Sequence, residues 1–131
     1  MLLDTSGLMC LLDRRDFRHE DALEFYTAAP SRFTHGHVLA EFVALAHVRG
    51  APRAKTLAFV ADLLDDAEVE VVWVDEQLHR GALALLQERM DKAWSLCDAV
   101  SFLLMQQRGF TEALTTDRHF EQAGFIRLLK P

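Results

Sequence analysis

Cysteine is scarce in this sequence: only Cys10 and Cys97 occur among 131 residues. Two cysteines cannot build a disulfide scaffold, and neither lies in a CxxC or Cys/His spacing suited to zinc, so both read as small buried hydrophobes. Long apolar runs are missing too. Nothing approaches the roughly 20 residues a membrane helix needs, and Asp4 breaks the opening Met1-Leu2-Leu3 before a signal-peptide core can form. The expectation is a cytoplasmic protein without membrane contact. Positive charge is limited, with a formal net charge of -6, which argues against broad electrostatic capture of nucleic acid. A nucleic-acid enzyme is still compatible with that total, because acidic site residues contribute to it and divalent cations would offset them locally. The chain has no glycine-rich phosphate loop and no G-x-S-x-G elbow. Internal repeats, low-complexity tracts and long linkers are also absent, which predicts a single domain over residues 1–131.

What the chain does contain is an alternation of strand-like and helix-like segments. A short apolar strand, Leu2 to Asp4, suits burial on both faces of a sheet, and Thr5 or Ser6 is placed to cap a helix to about Leu12. Helices follow at about His19 to Ala29, His37 to Val48 and Pro52 to Leu64, with a brief strand at Arg32 to Thr34. Val69 to Val74 reads as a strand and Glu76 to Glu88 as a helix. Ser95 and Asp98 form an S-x-x-D capping pattern before an apolar helix from Ala99 to Gln107. The chain closes with strand Ala113 to Thr116, a short helix Arg118 to Gln122, and strand Phe125 to Leu128. Strands that alternate with helices predict an α/β fold, a three-layer α/β/α sandwich around a mostly parallel, Rossmann-like sheet.

Four acids stand where a charge is inconvenient. Asp4 ends the first strand, Glu41 shares a helix stripe with Val38, Phe42 and Leu45, Asp98 starts an apolar helix, and Asp117 follows a strand. Buried carboxylates cost several kcal/mol unless paired, hydrogen-bonded or bound to a cation, so the set asks for a shared explanation. In open parallel sheets, functional groups gather beyond the carboxyl ends of the strands. If the first and fourth strands are neighbours, Asp4 and Asp117 face one crevice that Glu41 and Asp98 can reach. Oxygen ligands of this kind suit Mg²⁺ or Mn²⁺. Each acid also has a plainer use: Asp98 and Asp117 as helix caps, Asp4 as a turn residue. His35-x-His37 spans a turn and reads as structural or solvent-facing, whereas His119 is close enough to Asp117 to share its site. Arg14 and Arg15 after the first helix, and Arg118 beside Asp117, are candidates for phosphate contacts.

The segments Leu3-Asp4-Thr5-Ser6, Val38-Leu39-Ala40-Glu41-Phe42, Ser95 to Phe102 with Asp98 at its centre, and Ala113 to Phe120 with Asp117-Arg118-His119 resemble the PIN-domain ribonucleases, and within them the VapC-type toxins of toxin–antitoxin modules. The resemblance spans essentially the whole chain. It implies Mg²⁺- or Mn²⁺-dependent endonucleolytic cleavage of RNA, inhibition by a cognate antitoxin, and a homodimer. It maps the catalytic and metal-binding quartet onto Asp4, Glu41, Asp98 and Asp117, with Ser6 and Thr116 as hydroxyl partners. Some relatives carry a further acid after the last aspartate; His119 stands there in this chain. Two other readings stay open on residues alone. A phosphatase or phosphotransfer domain on a related α/β fold is weakened because Asp4-Thr5-Ser6 lacks the Asp-x-Asp of haloacid-dehalogenase-like sites. A catalytically silent PIN-like binding module would bind metal without cutting RNA.

Overall fold

The computed structural model describes residues 1 to 131. Its elements run β1 (Leu2–Leu3), α1 (Thr5–Leu12), α2 (His19–Ala28), β2 (Arg32–His35), α3 (Gly36–Val48), α4 (Arg53–Asp65), β3 (Val69–Val72), α5 (Glu76–Glu88), α6 (Leu96–Arg108), β4 (Glu112–Leu114), α7 (His119–Gln122) and β5 (Ile126–Arg127). The strands form one five-stranded sheet in the order β3-β2-β1-β4-β5, and every pairing is parallel. Element types follow the periodicity, but strand ends come in short except for β2, which runs one residue further, to His35. β3 stops at Val72 rather than Val74, and β4 at Leu114 rather than Thr116, which leaves Thr115 and Thr116 to turn into the site.

Neighbouring residues on the central strands serve opposite faces. Leu2 and Ala113 join Phe33, Val100, Phe102 and Phe120 in one core cluster, while Leu3 and Leu114 join Leu8, Val38 and Phe42 in the other. This is the period-two burial expected of strands covered on both sides. Helices α1 to α4 cover the Leu3 and Leu114 face and α5 to α7 the Leu2 and Ala113 face, giving the three layers. Each fully buried large apolar side chain contributes roughly 1.5–3 kcal/mol relative to exposure.

Gly7 sets how closely α1 meets the sheet. A Cβ placed there would lie 2.0 Å from the backbone carbonyl oxygen of Leu114. Only glycine admits that approach, and it brings Ser6 against the segment leaving β4. His35 ties the other side. This fully buried imidazole accepts from the Val38 amide at 3.4 Å through Nδ1, so Nε2 carries the hydrogen and donates to Ser101 Oγ at 2.8 Å. Burial first, then the nearby His37, lowers its pKa to about 3, so it stays neutral and joins β2, α3 and α6 structurally. No helix is long and apolar enough to cross a membrane.

Candidate functional site

β1 and β4 are neighbours, with Leu2 opposite Ala113 and Leu3 opposite Leu114. Continuing that register by one residue puts Asp4 across from Thr115. Asp4 occupies the N-cap position of α1, where neither Thr5 nor Ser6 stands, yet its side chain makes no capping hydrogen bond. An aspartate there ordinarily contributes about 1 kcal/mol by accepting from the first helical turn. Here the carboxylate turns to the sheet, where Thr115 Oγ1 donates to Asp4 Oδ2 at 2.7 Å.

That hydroxyl heads a relay. Because the Thr115 proton goes to Asp4, Ser6 Oγ donates to Thr115 Oγ1 at 3.1 Å and itself accepts from the Thr116 amide at 2.9 Å. Thr115 Oγ1 also accepts from the Asp117 amide at 3.0 Å, so its donor and both lone pairs are used. The hydroxyl partner of Asp4 is therefore Thr115, not Thr116, which meets Ser6 only through its backbone N–H. The parallel register decides this: the residue opposite Asp4 is one step after Leu114.

Asp98 reaches the same place from α6. It forms a reciprocal capping box with Ser95, whose amide donates to Asp98 Oδ2 at 3.1 Å while the Asp98 amide donates to Ser95 Oγ at 3.0 Å. His119 Nδ1 donates to the same Asp98 Oδ2 at 2.9 Å and lies 3.5 Å from Asp117 Oδ2. The His119 amide in turn donates to Asp117 Oδ1 at 2.9 Å. Ligand atoms of Asp98, Asp117 and His119 all fall within 4.8 Å of one another. Each of the three aspartates has one oxygen anchored by protein donors, the usual device for aiming a carboxylate at a cation.

Glu41 departs from the sequence expectation. It is exposed, not part of the buried stripe of α3, which is made by Val38, Leu39, Phe42 and Ala46. The middle of that stripe is turned by about a hundred degrees from Glu41 around the helix. Glu41 thus borders the crevice as a rim residue, and its charge still acts on the residues inside. Burial raises the Asp4 pKa from 3.8 to about 7, opposed by the Thr115 hydroxyl and the Thr5 amide and reinforced by Asp98 and Glu41. Burial and the charges of Glu41, Asp4 and Asp98 likewise push the buried Cys97 thiol up, which rules out a thiolate nucleophile. A crevice whose first acid holds its proton to about neutral pH, beside further acids, fits a site that a divalent cation completes.

Among the arginines, Arg118 is exposed beside Asp117. Arg14 and Arg15 lie at the far end of α1, where they line a cavity of about 440 Å³ with Arg49 and Lys55. Arg15 is held by Asp13, whereas Arg14 makes no ion pair.

A parallel sheet whose edge gathers acids from β1, β4 and α6 defines a class. The family model for the PIN domain matches residues 1–126, and the chain belongs to that family. Within it, the chain is of the VapC type, the ribonuclease toxins of toxin–antitoxin modules. It is 31% identical over 129 residues to the 23S rRNA-specific endonuclease VapC20 of Mycobacterium tuberculosis strains CDC 1551 / Oshkosh and ATCC 25618 / H37Rv, covering 98% of this chain and 97% of theirs. The crystal structure of M. tuberculosis VapC20, described as a Sarcin-Ricin loop cleaving toxin, superposes with a TM-score of 0.87 at 29% identity, covering 99% of this chain and 98% of that one. Membership in this family sets aside the phosphotransfer reading.

Proposed function

We propose that this chain is a Mg²⁺- or Mn²⁺-dependent endoribonuclease whose catalytic centre is Asp4, Asp98, Asp117 and Glu41. The observation that carries the assignment is the convergence of three anchored aspartates, drawn from two strand ends and a helix start, on one crevice. Asp4, Asp98 and Asp117 hold the cation. When bound, the ion supplies Lewis acidity toward an RNA phosphate and makes water a competent nucleophile near neutral pH. Glu41, on the rim, orients that water and accepts its proton. The relay of Ser6 and Thr115 holds Asp4 in place. Thr116 contributes only its amide, and His119 keeps Asp98 and Asp117 together, a bridging role rather than that of an extra acid.

Large-subunit ribosomal RNA is the substrate class we propose, on the likeness to VapC20. RNA phosphates beyond the crevice are met by Arg118 and by Arg14 and Arg15. The chain acts in the cytoplasm as a homodimer, restrained by a cognate antitoxin. The direct test is cleavage of total RNA with end mapping, in Mg²⁺ and in chelator, by the wild-type protein and Asp98→Asn. Cuts with 5′-phosphate and 3′-hydroxyl ends, requiring metal and lost in the variant, are the expected result. Cleavage that persists undiminished in Asp98→Asn refutes the site.

A further inference from the structure

Of the two tryptophans, Trp94 is buried and Trp73 is 67% exposed. Trp73 directly follows β3, at the sheet edge where the acids collect. Its ring does not hang free: Cε3 comes within 3.3 Å of where a Cβ on Gly36 would stand, so the indole lies over the start of α3. That position can be related to the candidate metal centre through strand register. Val72 pairs with His35 on β2, and Phe33 pairs with Leu2 on β1, which places Asp4 opposite His35 in the same row. Trp73 is thus one residue past that row and two strands away from Asp4. At about 4.8 Å between neighbouring strands, the lateral separation is about 10 Å.

The surface between them is built from the first turn of α3. His37 follows Gly36, packs edge-on against His79 at 5.5 Å between ring centroids, and has an Nδ1 atom without any hydrogen-bond partner. Glu41 lies one helical turn beyond His37 on the same side of α3. A short shelf, Trp73, Gly36, His37, therefore leads from an open indole face to the rim carboxylate. An exposed ring normally costs solubility, and this one rests over backbone that carries no side chain. Single-stranded RNA is bound by stacking unpaired bases on such rings, which tolerates any base because every base has a π-face.

We propose that Trp73 is the stacking platform for the base of a nucleotide neighbouring the scissile phosphate, so that it positions the RNA strand across the crevice. This rests on the ribonuclease reading given above. The platform is a positioning element and takes no part in the chemistry.

The test uses tryptophan fluorescence of Asp98→Asn protein in Mg²⁺, titrated with oligoadenylate, oligouridylate and an abasic ribose-phosphate oligomer of equal length. Quenching by the base-bearing oligomers, stronger for adenine, with little by the abasic one, is the expected pattern. Trp73→Ala should weaken binding of oligoadenylate by about 5- to 100-fold. Trp73→Phe should retain most of the affinity, and the abasic oligomer should bind both variants as it binds the parent. In otherwise wild-type protein, Trp73→Ala should raise KM for RNA cleavage more than it lowers kcat. Equal affinity of base-bearing and abasic oligomers overturns the proposal. So does a tryptophan signal that follows protein concentration in place of RNA, which would assign the ring to contact with a second copy. If cleavage by the wild type is intact while Trp73→Ala changes neither KM nor binding, the shelf is refuted and the nuclease assignment stands. If the wild type binds and cuts no RNA, both fall.

Discussion

Replacing Asp4 by Asn separates what the site costs the fold from what it gives the metal. The folded protein raises the Asp4 pKa from 3.8 to about 7, chiefly through burial. Below about pH 4 the group is protonated both folded and unfolded, and no penalty arises. Between these two values the unfolded chain has released the proton while the folded chain retains it, so metal-free stability falls as pH rises. Above about 7 both states are ionised and the whole penalty remains, on the order of 4 kcal/mol for a displacement of this size. Asn has no such titration, and its amide oxygen can still accept from the Thr115 hydroxyl. The stability of Asp4→Asn minus that of the parent should therefore grow from near zero at pH 4 to as much as about 4 kcal/mol at pH 8 in chelator. Urea unfolding of both proteins across that range, read by far-UV circular dichroism, measures the difference directly. Saturating Mg²⁺ should reverse the order at pH 8, because the cation favours the ionised carboxylate that Asn lacks. A difference that stays flat with pH, or a variant that gains as much from Mg²⁺ as the parent, would refute the reasoning.

Three further outcomes are expected. Glu41→Gln alters an exposed helix position, so unfolding should move by no more than about 0.5 kcal/mol while cleavage at saturating metal falls steeply; retained cleavage would return Glu41 to the solvated surface. Gly7→Ala forces a methyl against the Leu114 carbonyl, and should destabilise by about 1–3 kcal/mol and weaken metal binding as α1 lifts from β4, which thermal unfolding with and without Mg²⁺ can check. Arg14→Ala combined with Arg15→Ala should lower RNA affinity without touching metal binding. If both contact phosphate, the log–log salt slope should flatten by about 1.4, and an unchanged slope places the RNA path elsewhere.

Much of the arrangement could be read from residue order because it depends on local signals. Alternating apolar patterns carry the α/β class, and Ser95-x-x-Asp98 carries the reciprocal cap of α6, although that helix begins at Leu96 rather than Ala99. The adjacency of β1 and β4, on which the meeting of Asp4 and Asp117 depends, was a condition that the sheet order fulfils. The misses are offsets of one residue or a fraction of a helix turn. Thr115 and Thr116 are chemically alike, and only the pairing with β1 decides which faces Asp4. Glu41 sits at the border of an apolar stripe whose centre depends on how α3 rolls against α1 and the sheet. The close approach at Gly7 and the ring over Gly36 are contacts between distant segments, and no local pattern announces them.

The pairing of β1 with β4 also governs when the crevice can exist. Residues 2 and 3 are made well before their partners, residues 113 and 114. The place beside β1, the central strand, is thus filled only after α1 through α6 have been made, and Asp117 arrives later still. A nascent chain that has released α1 through α6 holds Asp4, Glu41 and Asp98 but not the hydroxyl and carboxylate that complete the cluster. In a family of RNA-cutting toxins, made beside ribosomal RNA, the order of synthesis alone delays the meeting of Asp4 with Thr115 and Asp117 until β4 is free to pair.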